Sequence, residues 1–275
     1  MSHYKIVASD LDGTLLNSSS ELSNENLEAI KKLSSMGVEF VPSTGRSFSE
    51  IPDFIKNIDG IRYFIHSNGA VVYDKLTGER LLSCIASGTG AEIMLVLKKY
   101  DAHVVYRENG NLYVDPDYQN DKAFKKYNVS REHENVILNY GIYLDDFEDA
   151  VSCARNIEVF AVFFKSQEDK LSCRAELLKI PDLNVVECFG FNLEIFHKDA
   201  GKGNALRKLA ELLSVDYNDT IAIGDSDNDT SMLRDAGLGL ATSNACEPLK
   251  NVSDRVICSN DEHVAEYVLN HYFEL

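Results

Sequence analysis

The stretch YKIVASDLDGT, residues 4–14, joins a mostly apolar run to two aspartates and a glycine. A short apolar run that stops at a turn signal predicts a buried strand ending at Asp10. Residues two apart on an extended chain point the same way, so the carboxylates of Asp10 and Asp12 can face one site. Gly13 permits a sharp turn directly after them. We therefore predict a strand whose carboxyl end carries a pair of acids.

The segments after this strand alternate between helix and strand patterns. Residues 23–36 predict a helix with one apolar stripe, Ser23 as its N-cap and Gly37 at its C-terminal end. The apolar runs 38–42 and 62–66 predict further strands. A strand–helix–strand order implies right-handed crossovers and a parallel sheet. We expect a Rossmann-like α/β fold, and the C-terminal third repeats the pattern in its predicted helices and strands: 203–213, 220–223, 228–236, 238–241, 255–258 and 262–272.

The middle of the chain has a different pattern. Its apolar runs are rich in β-branched and aromatic residues, and Asn109-Gly110-Asn111 separates two of them as a hairpin turn would. Together with two predicted helices, at 86–100 and 168–178, these runs predict an inserted α+β domain. We expect residues 84–190 to form this insertion, and 1–83 with 191–275 to form the core. The runs are 104–106, 112–114, 159–164 and 185–189.

Composition narrows the function. The chain of 275 residues has 27 Lys and Arg against 44 Asp and Glu, a formal net charge of −17. Such a surface repels phosphate backbones, so we expect no nucleic-acid partner. No apolar run reaches the roughly 20 residues that span a bilayer, and residues 1–10 are too polar for a secretory signal. The cysteines have no zinc-like spacing, which favours reduced thiols in the cytoplasm: Cys84, Cys153, Cys173, Cys188, Cys246 and Cys258.

Polar clusters follow the predicted core strands where each one ends. In open parallel sheets, ligands bind beyond the carboxyl ends of the strands. Asp10 and Asp12 lie at such an end, and so do Thr44, Asn68 and Asp225. We therefore expect these side chains to meet at one site.

The acids suggest a division of labour. Two carboxylates in one site tend to separate in pKa, so that one stays ionised as a nucleophile and the other carries a proton as a general acid. A plain turn or a calcium loop is the alternative for residues 10–14. The second cluster, Gly224-Asp225-Ser226-Asp227-Asn228-Asp229, is not an EF-hand loop, since position twelve is Ala236 and not glutamate. Asp229 would lie in the first turn of a helix, and we interpret Asp227 as a cap of that helix.

Several carboxylates and a phosphate dianion would repel one another. At about 4 Å, each like-charge pair costs roughly 4 kcal/mol at an effective dielectric near 20. Mg2+ prefers oxygen ligands and commonly bridges carboxylates to a phosphate. Lys202, between two glycines at a helix start, is a suitable point charge for the phosphate, and Thr44 and Gly45 offer hydroxyl and backbone groups.

Five motifs in this order resemble the haloacid dehalogenase superfamily, and more narrowly the Cof-type phosphatases with a type IIB cap. They are DLDGT at 10–14, STGR at 43–46, SNGA at 67–70, GKG at 201–203 and GDSDND at 224–229. The resemblance spans nearly the whole chain. It implies a core with an inserted cap over the strand ends.

The resemblance also implies roles. Asp10 would be the nucleophile that forms an aspartyl-phosphate, and Asp12 the acid and then the base. Thr44, Gly45, Lys202 and Asn228 would hold the phosphoryl group. Mg2+ would be bound by Asp10, the backbone carbonyl of Asp12 and Asp225, and Asp229 would orient metal-bound water or ligate directly.

Asp12 favours phosphoryl transfer, because the dehalogenase branch lacks this second aspartate. The implied reaction is hydrolysis of a small phosphorylated metabolite, such as a sugar phosphate, a nucleotide or pyridoxal phosphate. A disaccharide-phosphate phosphatase, a phosphomutase and a phospho-ligand-binding regulator are the alternatives. Two departures from the family pattern stand near the motifs: Ser43 replaces a common alanine, and Thr242-Ser243 replace Met-Gly.

Overall fold

The computed structural model describes residues 2–118, 120–187 and 190–273. The strands are β1 Ile6–Ser9, β2 Glu39–Pro42, β3 Tyr63–His66, β4 Val71–Asp74, β5 Arg80–Leu82, β6 Ala102–Glu108, β7 Asn111–Val114, β8 Gly141–Tyr143, β9 Ile157–Phe164, β10 Leu183–Glu187, β11 Asn192–His197, β12 Thr220–Gly224, β13 Leu238–Ala241 and β14 Arg255–Val256. The helices are α1 Asn24–Ser35, α2 Asp53–Lys56, α3 Thr89–Leu97, α4 Asp121–Lys126, α5 Arg131–Tyr140, α6 Phe147–Cys153, α7 Gln167–Leu177, α8 Lys202–Leu212, α9 Thr230–Asp235, α10 Glu247–Val252 and α11 Val264–Tyr272.

The chain forms two compact units. The first contains residues 1–45, 51–81 and 201–275, and the second contains 46–50 and 82–200. The predicted boundary at residue 191 was wrong by about one strand, because β11 pairs with β9 and β10 in the second unit. Residues 46–50 also belong to the second unit, which the sequence did not indicate.

The first unit is built on a parallel sheet in the order β14-β13-β12-β1-β2. This confirms the predicted α/β fold with a parallel core. Its inner strands β1 and β12 are buried along their whole length, as the apolar run in β1 required, whereas the edge strand β14 is exposed. A core cluster including Ala8, Ala222 and Leu206 packs against the sheet. Ser23 caps α1 as predicted, its hydroxyl accepting from the Asn26 N–H.

One predicted strand pairs differently from expectation. Residues 63–66 form β3, which pairs antiparallel with β4 in a three-stranded sheet β3-β4-β5. A single parallel bridge between Ser43 and Ile65 connects it to the end of β2. Propensity predicts that a segment is a strand, but its partner depends on contacts elsewhere in the chain. Asn68, one of the polar residues expected at strand ends, follows β3 in a short 3-10 helix at 67–69.

The second unit is a six-stranded sheet in the order β10-β11-β9-β6-β7-β8, packed against helices. The predicted hairpin is present as β6 and β7, with Asn109 and Gly110 at positive φ in its turn. The helices α4, α5 and α6 were not predicted. Of the predicted run 185–189, β10 includes 185–187, while Cys188 and Phe189 lie outside the described residues. No described helix combines the length and apolar character needed to cross a bilayer.

Candidate active site

Three aspartates gather at the carboxyl end of the parallel sheet. Asp10 follows β1, Asp225 follows β12, and Asp229 closes a short 3-10 helix at 227–229. One carboxylate oxygen from each lies within 4.8 Å of the others. Adjacent parallel strands β1 and β12 place Asp10 and Asp225 side by side, so the distant motifs meet as predicted.

Lys202 lies inside this cluster of acids. Its Nζ atom donates to Oδ1 of Asp10 at 2.8 Å and to Oδ1 of Asp229 at 2.6 Å. The side chain is buried, at the first position of α8. Gly69 makes this possible, because a Cβ atom there would collide with the carbonyl oxygen of Gly201. Lys202 is therefore an internal charge, in contrast to an ordinary surface lysine.

The charges of the cluster do not balance. Burial raises the pKa of the Asp10 carboxyl; Lys202 opposes that shift, but Asp229 and Asp225 add to it, and the net result is a pKa well above the usual range. Burial also raises the pKa of Asp225. For Lys202, burial lowers the pKa, but Asp10 and Asp229 more than offset this and raise it. Three carboxylates surround one ammonium group, so a further positive charge would be stabilised in this cluster.

The donor set fits a hard divalent cation. All three candidate ligands are carboxylate oxygens, which suit Mg2+ and not the softer metals. Only a glycine fits at position 13, because φ is +72° there and an added Cβ would lie 2.5 Å from Oδ2 of Asp225. The Thr14 hydroxyl donates to Oδ1 of Asp225 at 3.0 Å and fixes that carboxylate. Asp10, Asp225 and Asp229 are therefore able to hold such an ion.

Asp229 has two tasks. Its Oδ2 atom accepts from the backbone N–H groups of Asp225 and Ser226, at 3.0 and 3.1 Å, while Oδ1 binds Lys202. Ser226 is the helix N-cap in a reciprocal capping box with Asp229. The interpretation of Asp227 as the cap was wrong, because Ser226 is the N-cap of the 3-10 helix and Asp229 is the N-cap of α9.

Asp12 differs from the three clustered acids in its exposure. Its side chain is exposed, and its carboxylate is not within the group formed by Asp10, Asp225 and Asp229. An exposed carboxyl can exchange protons with a substrate and with water, as the predicted acid must. The contribution of its backbone carbonyl to a metal site stays a prediction.

Hydrogen bonds and close contacts connect the remaining predicted residues. Thr44 is buried, and its backbone donates to the Ile65 carbonyl at 2.9 Å and accepts from the Asn68 N–H at 3.1 Å. Asn68, in the left-handed region, accepts a bond of 3.0 Å from Nδ2 of Asn228. Gly45 lies against the same amide, since a Cβ on it would lie 3.0 Å from Oδ1 of Asn68. The structure thus brings Thr44, Gly45 and Asn228 together.

Sequence reasoning missed two supports of the site. Nδ2 of Asn244 donates to the Gly13 carbonyl at 2.8 Å, and the Cys246 N–H donates to the Asp225 carbonyl at 2.9 Å. Asn244 stands in the motif that departs from the family pattern, which offered the only sequence signal. His66, at the end of β3, is buried, and burial and then Arg80 lower its pKa to about 3.

The chain is similar to known proteins over nearly its whole length. Residues 7–269 match the family model of the haloacid dehalogenase-like hydrolases. The chain is 30% identical to phosphatase YwpJ of Bacillus subtilis, over 97% of this chain and 99% of the relative. It is also 30% identical to 5-amino-6-(5-phospho-D-ribitylamino)uracil phosphatase YwtE of B. subtilis, over 97% of each chain.

A solved structure extends the comparison to the whole fold. The fold is similar to that of the subclass IIB sugar phosphatase BT4131, with a TM-score of 0.79 and 21% identity over 98% of this chain and 100% of that one. The chain belongs to the haloacid dehalogenase-like hydrolase family. The predicted Cof-type phosphatase membership, and with it the enzyme class of phosphatase, is confirmed.

Proposed function

We propose that this chain hydrolyses the phosphate monoester of a small metabolite through an aspartyl-phosphate on Asp10, with Mg2+ as cofactor. The buried contact between Lys202 and Asp10 carries the proposal. It holds one carboxylate oxygen of Asp10 and leaves the other available to attack phosphorus. A carboxylate fixed beside an ammonium suits the attack on a phosphoryl group.

The reaction has two halves. Oδ2 of Asp10 forms a bond to phosphorus while the bond to the ester oxygen breaks, and Asp12 gives that oxygen its proton. Asp12 then takes a proton from water, which attacks phosphorus and releases phosphate from Asp10. The exposure of Asp12 supports this role, since its carboxyl must meet both leaving group and water.

Other side chains hold the phosphoryl oxygens. Lys202 supplies the charge, and Thr44, Gly45 and Asn228 supply hydrogen-bond donors around the same place. Asp10 and Asp225 are the proposed Mg2+ ligands, together with the Asp12 carbonyl. Both oxygens of Asp229 are already in hydrogen bonds, which favours a role in orienting metal-bound water. When bound, Mg2+ would offset the repulsion between these acids and the substrate.

The substrate class remains part of the proposal. The substrate in the name of the B. subtilis relative YwtE, 5-amino-6-(5-phospho-D-ribitylamino)uracil, is a phosphate monoester of a small metabolite. We infer that this chain acts on the same chemical class, which includes sugar phosphates, nucleotides and pyridoxal phosphate. The first unit would then be the catalytic core, and the second the cap that selects the leaving group.

Replacing Asp10 by Asn tests the nucleophile. We expect D10N to lose Mg2+-dependent release of phosphate from p-nitrophenyl phosphate, because an amide cannot form the aspartyl-phosphate. D227N is the matched control, an exposed aspartate of the second acidic cluster with no role in the proposed chemistry. Turnover by D10N at the wild-type rate would overturn the assignment. A panel of phosphometabolites, ranked by kcat/KM, would identify the substrate and separate hydrolysis from isomerisation.

A further inference from the structure

Residues 46–50 form an unusual segment of the second unit. They follow Thr44 and Gly45 directly in sequence, yet they pack with the hairpin of β6 and β7. The Ser49 N–H donates to the Gly110 carbonyl at 2.8 Å in the hairpin turn. Gly110 in turn donates its N–H to Oε1 of buried Glu158 at 2.7 Å. The segment is therefore hydrogen-bonded to the hairpin turn, and Glu158 holds that turn in place from within the same unit.

A buried ion pair fixes the end of this segment. Nε and Nη2 of Arg107 donate to the two carboxylate oxygens of Glu50, at 3.0 and 3.3 Å. The two side chains are 10% and 2% exposed. This bidentate geometry fixes the orientation of the two side chains as well as the distance between them, which a single hydrogen bond cannot do.

Glu50 also organises the segment from within. Its Oε2 atom accepts from the Ser47 N–H at 2.9 Å, and its backbone carbonyl accepts from Nη1 of Arg46 at 3.0 Å. Three residues, Arg107, Ser47 and Arg46, therefore donate hydrogen bonds to Glu50. Loss of the Arg107 partner would leave the Glu50 charge buried and incompletely compensated.

The position of the segment in the chain gives this pair a consequence for phosphate binding. On the preceding side, Thr44 is fixed by its backbone bonds to Ile65 and Asn68. On the following side, the fixed segment begins at Arg46. Gly45 alone separates the two, so the conformation of this part of the proposed phosphate-binding loop depends on both anchors.

We propose that Glu50 and Arg107 are positioning residues for the loop at Thr44 and Gly45. By holding residues 46–50 on the hairpin, the pair sets the backbone that receives the phosphoryl group. This inference rests on the proposed function of Thr44 and Gly45 as phosphate-binding residues.

The test compares Arg107→Met with Lys170→Met. Lys170 is a buried cation of the same unit, paired with Glu187 at 2.9 Å, and has no contact with residues 46–50 among its described bonds. We expect R107M to raise both the KM for p-nitrophenyl phosphate and the Ki of inorganic phosphate on the order of tenfold, with a smaller change in kcat. K170M should keep both constants within about twofold. Arg107→Lys, which retains the charge without the bidentate geometry, should fall between wild type and R107M.

A measurement without turnover separates this proposal from the proposed function. Amide hydrogen exchange should show faster exchange across residues 46–50 in R107M and not in K170M. Glu50→Gln serves the same purpose if R107M does not fold. Equal constants for R107M and K170M, or unchanged exchange at 46–50 in the folded variant, would overturn the positioning role. A wild-type protein that neither hydrolyses phosphate esters nor binds phosphate would overturn the proposed function, and the exchange data would still decide whether the anchor exists.

Discussion

The Nζ atom of Lys202 lies 2.8 Å from Oδ1 of Asp10, and the two side chains are 0% and 7% exposed. The same ammonium binds Asp229 at 2.6 Å. One lysine thus joins the first acidic motif to the last. Its loss should affect the fold as well as the chemistry, because each carboxylate would be left buried without its cation.

Replacing Lys202 by Met should lower the free energy of unfolding by about 3–5 kcal/mol and abolish phosphatase activity. Urea unfolding at pH 7, followed by circular dichroism, measures the stability. Lys31→Met is the control, since the Lys31 pair with Glu28 is largely exposed and worth about 0.5 kcal/mol or less. Equal losses in the two variants would contradict the internal role of Lys202.

Magnesium should stabilise the folded chain without any substrate. Mg2+ at about 100 times its Kd would add about 2.7 kcal/mol to the free energy of unfolding and raise the Tm. Asp225→Asn should lose most of this shift, because a proposed carboxylate ligand is gone, whereas Asp227→Asn should retain it. Thermal scans with Mg2+ and with a chelator make the comparison. An undiminished Mg2+ shift in D225N would remove Asp225 from the metal site.

The sequence was sufficient for the parts of the site that follow strands. Asp10, Thr44 and Asp225 each follow an apolar run, and parallel strands bring their carboxyl ends to one edge. The glycines beside Lys202 marked it as unusual. The burial of Lys202 could not be predicted from the sequence, because it depends on the close approach of Gly69 to Gly201, and these two residues are far apart in the chain.

Long-range contacts explain what the sequence did not predict. The partner of β3 and the placement of residues 46–50 depend on pairings with distant segments, for which local pattern gives no signal. The helices α4 and α6 are short, at six and seven residues, so few positions show their period. The donors Thr14 and Asn244 are common residue types that acquire a role only when the loops meet.

Asp74 should make the free energy of unfolding depend on pH in the acidic range. The hydrogen bonds from Arg62, at 3.0 and 2.6 Å, lower the pKa of the Asp74 carboxyl; burial opposes them, and the Leu76 N–H adds to them. Because its pKa is lower in the folded state, this carboxylate stabilises the fold above its unfolded pKa of about 3.9. That contribution disappears as pH falls through the folded pKa.

Asp74→Asn should therefore cost about 1–2 kcal/mol at pH 7, a figure limited by the partial exposure of Arg62. The difference from wild type should stay constant between about pH 5 and 7 and shrink below about pH 4. Urea unfolding across this range measures it. A difference that grew in acid would contradict the sign of the pKa shift.

Thr242 offers a way to increase stability. Its Oγ1 atom is buried and has no hydrogen-bond partner among the described residues. A buried hydroxyl without a partner costs about 1–3 kcal/mol, whereas an apolar group of the same shape costs nothing. Thr242→Val should therefore leave the free energy of unfolding unchanged or raise it by about 1 kcal/mol.

Thr220→Val is the matched control for Thr242→Val. Thr220 is equally buried, but its hydroxyl donates to the Tyr217 carbonyl at 2.7 Å and accepts from the Gly237 N–H at 3.4 Å. T220V should lower the free energy of unfolding by about 1–2 kcal/mol, because the Gly237 N–H would lose its acceptor and the Tyr217 carbonyl would keep only the bond from the Thr220 backbone N–H. Urea unfolding of both variants decides the matter. If T242V were as destabilising as T220V, the Thr242 hydroxyl would have to be bonded to ordered water in solution.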